Sequence, residues 1–213
     1  MKGDESAGWL ERKRTQPLAS LRLQVGHQTK NMLPEIIKTE RLTLRPYRLQ
    51  DVNDVLSYAS DPKWARFLPV PQPYKKTDAE KFIASQLLLD QETHQSWALE
   101  QNEVVIGGID IGFDFENHVG ELGYSIARTH WGRGLVAEAA RAIIDTAFST
   151  YPNLNRIRAM ADSRNAGSLR VMEKLGMVRE GVLRQNRVVR DELIDEVCCG
   201  ILRSEWEVQK RPR

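Results

Sequence analysis

Apolar positions recur along this chain at two different spacings, and the switches between them outline its elements. In "TERLTLRPY", Leu42 and Leu44 alternate with Arg41, Thr43 and Arg45, the period of a strand with one buried face. In "LQDVNDVLSYAS" the spacing lengthens, and Val52, Val55, Leu56 and Tyr58/Ala59 share one side of a helix that starts near Asp51. The proline-rich "FLPVPQPYKKT" reads as a loop. A second helix is expected from about Asp78 to Asp90, with Thr77 and Glu80 spaced as a capping box. Then come "SWALEQ", "VVIGGIDIGFDF" and "GELGYSI", consecutive strands turning at Asn102-Glu103 and Asn117-His118; in the middle one Ile109, Ile111, Phe113 and Phe115 fall on one face. Helical spacing returns with Val136, Ala139/Ala140, Ile143 and Ala147, opposite a side where Glu138, Arg141 and Asp145 can pair with one another. "RIRAMA" is a short strand, and "NAGSLRVMEKLG" is a helix that ends at Lys174 and Gly176. "GMVREGVLRQ" and "ELIDEVCCGILRSEW" close the chain as a hairpin.

The resulting order, β-α-α-β-β-β-α-β-α-β-β, predicts an α/β fold with a mixed central sheet. Short turns make the three middle strands antiparallel, whereas the strand–helix–strand unit over about 119–161 requires a right-handed crossover and a parallel pair. The switch falls at the C-terminal end of "ELGYSI", where open α/β sheets bind ligands. Residues 1–33 show no sustained periodicity and no apolar signal segment. They read as a weakly ordered basic tail, or as upstream sequence ahead of a start at Met32, leaving 34–213 as the domain.

Composition narrows the picture without changing it. A chain of 213 residues, 41% hydrophobic and 28% charged, suits one soluble domain. A net charge of +2 predicts neither a nucleic-acid nor a membrane partner, and no apolar run is long enough to span a bilayer. Cys198 and Cys199 are adjacent on a strand, so they point to opposite faces and are poor disulfide partners. With no secretion signal, a cytoplasmic protein is expected, as a monomer or a homodimer. His27, His94, His118 and His130 stand in no metal-binding spacing, so no metal is expected.

The candidate chemistry starts at "HWGRGLVAEA". Gly132 and Gly134 open a helix whose free N–H groups and dipole favour a phosphate, and Arg133 adds a charge. Gly132, Gly134 and Ala137 also spell the dinucleotide fingerprint, but "ARTHW" separates them from the strand, and the topology before it is antiparallel. The acidic end of the next strand, Asp162, also lies farther on than the roughly 20 residues of that fingerprint. A nicotinamide cofactor is therefore set aside.

Together, "TERLTLRPY", "ELGYSI", "HWGRGLVAEA", "NAGSLRVMEKLGM", "REGVLR" and the terminal "EW" resemble the GNAT superfamily of N-acetyltransferases, and within it the ribosomal-protein N-terminal acetyltransferases. The resemblance runs from about Ile36 to Trp206 and implies acetyl-CoA as the acetyl donor. It implies that backbone groups of Ile126 and Arg128 hold the pantetheine. Thr129 stands where the family has Gln or Arg, and Gly132, Arg133, Gly134, Leu135, Val136 and Ala137 would cradle the pyrophosphate. Asn165 would contact the cofactor. The acceptor is expected to be a protein N-terminal α-amine, with a small amine (polyamine, amino acid or antibiotic) or a non-catalytic acyl-CoA-binding module as alternatives.

Acetyl transfer needs a neutral amine, a stabilised oxyanion and a tolerated thiolate. Glu121 shares a face with the small Gly123 and Ser125 and is the candidate base, with a solvated strand glutamate as the plain alternative. Where many of the family have an acidic tyrosine, this chain has Met172, so Ser168 is the expected contact to the departing sulfur. The oxyanion donor is expected to be a backbone N–H near Ile126. Trp64, Phe67, Tyr74 and Trp97 read as core or as acceptor pocket, and Trp131 as a packing residue that fixes the glycine loop.

Overall fold

The computed structural model describes residues 32–210. Strands β1 (Ile37–Lys38), β2 (Thr43–Arg45), β3 (His94–Gln101), β4 (Val104–Asp114), β5 (Val119–Ile126), β6 (Arg156–Asp162), β7 (Val178–Val189) and β8 (Glu192–Leu202) form one sheet, ordered β1-β2-β3-β4-β5-β6-β8-β7. The helices are α1 (Val52–Ala59), α2 (Lys76–Leu87), α3 (Leu135–Thr150), α4 (Ala166–Lys174) and α5 (Arg203–Gln209). Tight turns at Asn102-Glu103 and Arg190-Asp191, all with positive φ, close the β3–β4 and β7–β8 hairpins. Among the described residues only β5 and β6 pair in parallel, through the α3 crossover. Their pairing stops after Glu121↔Arg158, while β5 continues to Ile126 and β6 to Asp162. Beyond that row the sheet is splayed.

One face of the sheet carries the larger core. Trp97, Ile109, Ile111, Leu122, Ile157 and Ile201 from the strands pack with Leu135, Ile143 and Ile144 of α3, Met172 of α4 and Trp206 of α5. On the other face a smaller core, with Val55, Tyr58, Ala79 and Ile83, seats α1 and α2 over Tyr47, Ala98, Val105 and Ala127. The remainder of that face, over β4, β5 and β6, carries polar side chains.

Several elements differ from the sequence pattern. Within "TERLTLRPY" only Thr43–Arg45 is strand; it follows a turn from β1 in which the Thr39 amide donates to the Leu42 carbonyl. Arg45, on the polar phase of that alternation, is buried and bound to Asp51 and Glu100. The second helix starts earlier than expected: its cap is the Lys75 amide donating to Asp78, not Thr77 with Glu80. Glu138, Arg141 and Asp145 do not pair with one another. Glu138 binds Arg41, Arg141 donates to the Lys174 carbonyl, and Asp145 accepts from the Trp206 indole. "RSEW" leaves the strand to form α5, where the Glu205 carboxylate accepts from the Leu202 amide and Trp206 turns into the core. The tail expected over 1–33 lies outside the described residues up to Asn31. At its end Leu33 is buried, held through both backbone groups by the Gln95 amide. Leu33 stands between Met32 and Pro34, ahead of any regular spacing, so no periodicity betrays it.

Candidate active site

The glycine loop is built as an anion cradle. Gly132 and Gly134 adopt φ of 74° and 79°, a region in which a Cβ is strained. An added Cβ on Gly132 would meet nothing within 4 Å, so the space over the loop is open. Gly134 caps α3, and the first intrahelical bond runs from the Glu138 amide to its carbonyl, at 3.0 Å. The amides of Leu135, Val136 and Ala137 lie before that bond and have no intrahelical acceptor. Their side chains are buried in the core, so these residues present only backbone. A residue outside the glycine motif braces the loop. Arg41 donates to the Arg133 carbonyl (3.0 Å) and pairs with Glu138, which also accepts from Thr39 and the Arg41 amide. Burial opposes ionisation of Glu138, but these bonds outweigh it and hold the carboxyl below its ordinary value.

Beside the loop, the splay exposes backbone. The Ala127 amide donates to the Ile106 carbonyl across the β4–β5 ladder. Antiparallel alternation therefore turns the N–H and C=O of Tyr124 and Ile126 away from β4, toward the gap that β6 leaves. The Ile126 carbonyl accepts from the Trp131 indole at 2.9 Å, so only its N–H is left to the gap. Trp131 thereby ties the glycine loop to the strand with its indole exposed, rather than by packing. The Arg128 carbonyl is used within the connecting turn, by the Trp131 amide, and the Arg128 guanidinium pairs with Asp61 after α1. Thr129 is exposed, its hydroxyl against His130. Burial and the nearby Arg133 charge hold the His130 imidazole below its ordinary value.

Across the gap stands α4. Asn165 caps it, its side-chain oxygen accepting from the Ser168 amide at 3.2 Å. That leaves the Ser168 hydroxyl to another partner: it lies 2.8 Å from the Tyr124 hydroxyl. Burial is the main cause that pushes the Tyr124 phenol up to about 12, so it stays protonated at neutral pH. The two hydroxyls form a hydrogen-bonded link between β5 and α4. Tyr124 was legible only as the face of β5 opposite Glu121, because nothing local links it to a residue so far along the chain. Met172 is fully buried.

On the opposite face a row of residues crosses four strands: His94, Gly112, Glu121 and Arg158 are successive pairing partners. Glu121 is exposed and bridged to Arg158 at 2.7 Å. In the next row Asp110 lies over Gly123 and binds His94, Nε2 to Oδ2, at 3.0 Å. The tip of the β7–β8 hairpin bounds this side, Arg190 donating to the carbonyls of Ala65, Arg66 and Leu68. Of the aromatic residues considered for an acceptor pocket, Trp97 belongs to the large core, its indole bound to the Pro34 carbonyl, and Trp64 packs edge-on against Tyr58 and Tyr74.

The acetyltransferase (GNAT) domain family matches residues 41–178, more than half of the chain. The chain belongs to the GNAT family. An N-acetyltransferase named p20 from Bacillus licheniformis is 32% identical over 176 residues, covering 81% of this chain and 98% of the relative. Bacillus subtilis YdaF, which carries the name of a ribosomal N-acetyltransferase, is 35% identical over 97 residues, 46% of this chain and 52% of its own. The crystal structure of a GNAT-family acetyltransferase from Bacillus anthracis superposes with a TM-score of 0.70 at 28% identity, over 80% of this chain and 99% of that one.

This GNAT enzyme is thus an acyltransferase that takes its acetyl group from acetyl-CoA. The residues present fit that donor: an open cradle at Gly132 and Gly134, unpartnered helix-start amides beside it, and a splayed strand whose N–H groups face the gap.

Proposed function

We propose that this enzyme acetylates protein N-terminal α-amines, those of ribosomal proteins among them. The observation that carries the reading is the openness of the acceptor face. Glu121 and Asp110 are 48% and 38% exposed on a sheet face lined by Gly112, Gly123 and Ser125, which leaves room for an acceptor whose bulk remains outside. An α-amine, with a pKa near about 8, needs far less help to become neutral than a lysine near about 10.4. The partial likeness to YdaF supports the same reading.

In this reading acetyl-CoA supplies the thioester, and the amides of Leu135 to Ala137 with Arg133 hold its pyrophosphate. Gly132 and Gly134 keep the approach clear. The Ile126 amide and Arg128 amide face the pantetheine, with Ile126 N–H the donor to the acetyl carbonyl oxygen as charge develops there. Asn165 keeps the first turn of α4 in place, which aims the Ser168 hydroxyl at the sulfur. Tyr124 stands behind Ser168 as the proton source. Glu121, steadied by Arg158, orients the incoming ammonium.

Coenzyme A release is to be measured with peptides bearing free N-terminal Ala, Ser or Met, with spermidine, with free amino acids and with an aminoglycoside. The expected outcome is a kcat/KM for one of the peptides at least tenfold above every small amine. A small amine at the head of that order overturns the protein-acceptor reading.

A further inference from the structure

The start of α3 sets two anions against each other. Glu138 stands in the first turn of the helix, where a carboxylate favours the dipole of the free protein. The same charge opposes a diphosphate brought to the neighbouring amides of Leu135, Val136 and Ala137. Arg41, from the turn between β1 and β2, touches both the carboxylate and the loop. Its Nε and one terminal nitrogen each lie 2.6 Å from Glu138 Oε2. Its other terminal nitrogen donates to the Arg133 carbonyl, between the two glycines, at 3.0 Å. The nitrogen that binds Glu138 also lies 3.7 Å from where a Cβ on Gly134 would be, so the guanidinium flanks the left-handed cap of α3. The arginine is itself held by its backbone. Its amide donates to Glu138 Oε1 at 2.9 Å, and its carbonyl accepts from Gln101 Nε2 at 3.3 Å.

We propose that Arg41 is a positioning residue of the donor site: it cancels the Glu138 charge and pins the Arg133 carbonyl, so that the glycine loop keeps its amides for the pyrophosphate of acetyl-CoA. Arg41 acts through the loop and not on the reacting atoms, and each link is a contact at hydrogen-bond distance. The peptide between Arg133 and Gly134 is one plane, with its C=O and N–H on opposite sides. Holding the carbonyl against Arg41 therefore aims the Gly134 N–H away from Arg41. The two functions need one planar, forked cation, because a lysine ammonium is a point charge that cannot grip a carboxylate edge and a carbonyl in fixed directions. Arg41 is 41% exposed, so its removal buries no orphaned charge, and the variants below are expected to fold.

The inference rests on the reading of Gly132 to Ala137 as the pyrophosphate site, and the experiment separates the two. Calorimetric Kd values are to be measured for acetyl-CoA and for its 3′-dephospho form, with denaturant unfolding as the control for folding. Arg41→Ala is expected to weaken both ligands alike, by about tenfold. Adding Glu138→Gln to Arg41→Ala is expected to regain about threefold, because the opposing charge is gone while the carbonyl stays unpinned. A double variant no tighter than Arg41→Ala overturns the proposal, since a plain strut would behave in that way. A loss confined to acetyl-CoA overturns it too, by placing Arg41 on the 3′-phosphate. Gly132→Asp tests the loop reading itself, because aspartate tolerates the left-handed backbone and puts a negative charge in the open space over the loop. Lost binding in Gly132→Asp with an unchanged Kd in Arg41→Ala would remove the role of Arg41 alone. An unchanged Kd in Gly132→Asp would remove the pyrophosphate site and this inference with it.

Discussion

Two arginine–carboxylate pairs on this sheet have the same chemistry and opposite uses. Arg45 and Asp51 are 4% and 3% exposed, joined by parallel bonds of 2.8 and 2.9 Å, with Glu100, the Pro46 carbonyl and the Arg48 amide completing the network. Arg158 and Glu121 are 44% and 48% exposed and have water for company. The sealed pair ties β2 to the start of α1 and to β3, and it matters through what it would leave behind if broken. The open pair contributes little to stability and keeps a carboxylate steady where an acceptor arrives. Solvent, not residue type, separates a structural ion pair from a functional one.

The largest effect is expected at the sealed pair. Asp51→Ala leaves Arg45 buried without its main partner, and about 3–5 kcal/mol of stability should be lost, read from denaturant unfolding. A loss below about 1 kcal/mol would show that Glu100 and water compensate, and the contrast would collapse. Next comes Ser168→Ala, expected to lower kcat by about 10²-fold, the low end for acid assistance, with unfolding free energy and acetyl-CoA affinity unchanged. Tyr124→Phe should fall in the same direction by less, because it acts through Ser168. Wild-type rates in both would reduce the hydroxyl pair to a strut between β5 and α4.

At the open pair, Arg158→Ala should change stability by no more than about 1 kcal/mol while raising KM for the amine. A stability loss matching that of Asp51→Ala would refute the distinction between the two pairs. The smallest effect is at the glycine-loop brace. The Glu138 carboxyl is held below its ordinary value in the folded protein, so it contributes stability above its unfolded pKa of about 4.3, and that contribution is lost as pH falls through the lower folded value. Glu138→Gln should therefore flatten the fall in Tm below about pH 4.5 and leave Tm near neutrality slightly reduced. An unaltered acid limb would mean that other carboxylates carry it.

Local pattern already contained much of this protein. Strand and helix periods, the positive-φ turns and the glycines at the start of α3 are properties of a few consecutive residues, and they dictate the mixed sheet, the parallel switch and the cradle. A resemblance carried by short ordered segments pointed to the family. What the pattern left out depends on partners far along the chain. Arg45 and Arg158 both sit on polar strand phases, yet only packing by α1 seals one of them. Leu33 and Trp206 gain their place from β3 and α3. Arg41 reaches the glycine loop, Tyr124 reaches Ser168, and His94 reaches Asp110 across the β3–β4 hairpin. Side-chain alternation tells which face a residue occupies, but water access and the partner across the gap are set by the whole fold. Desolvation and hydrogen-bond geometry follow three-dimensional neighbours, and those decide which of several like residues does chemistry.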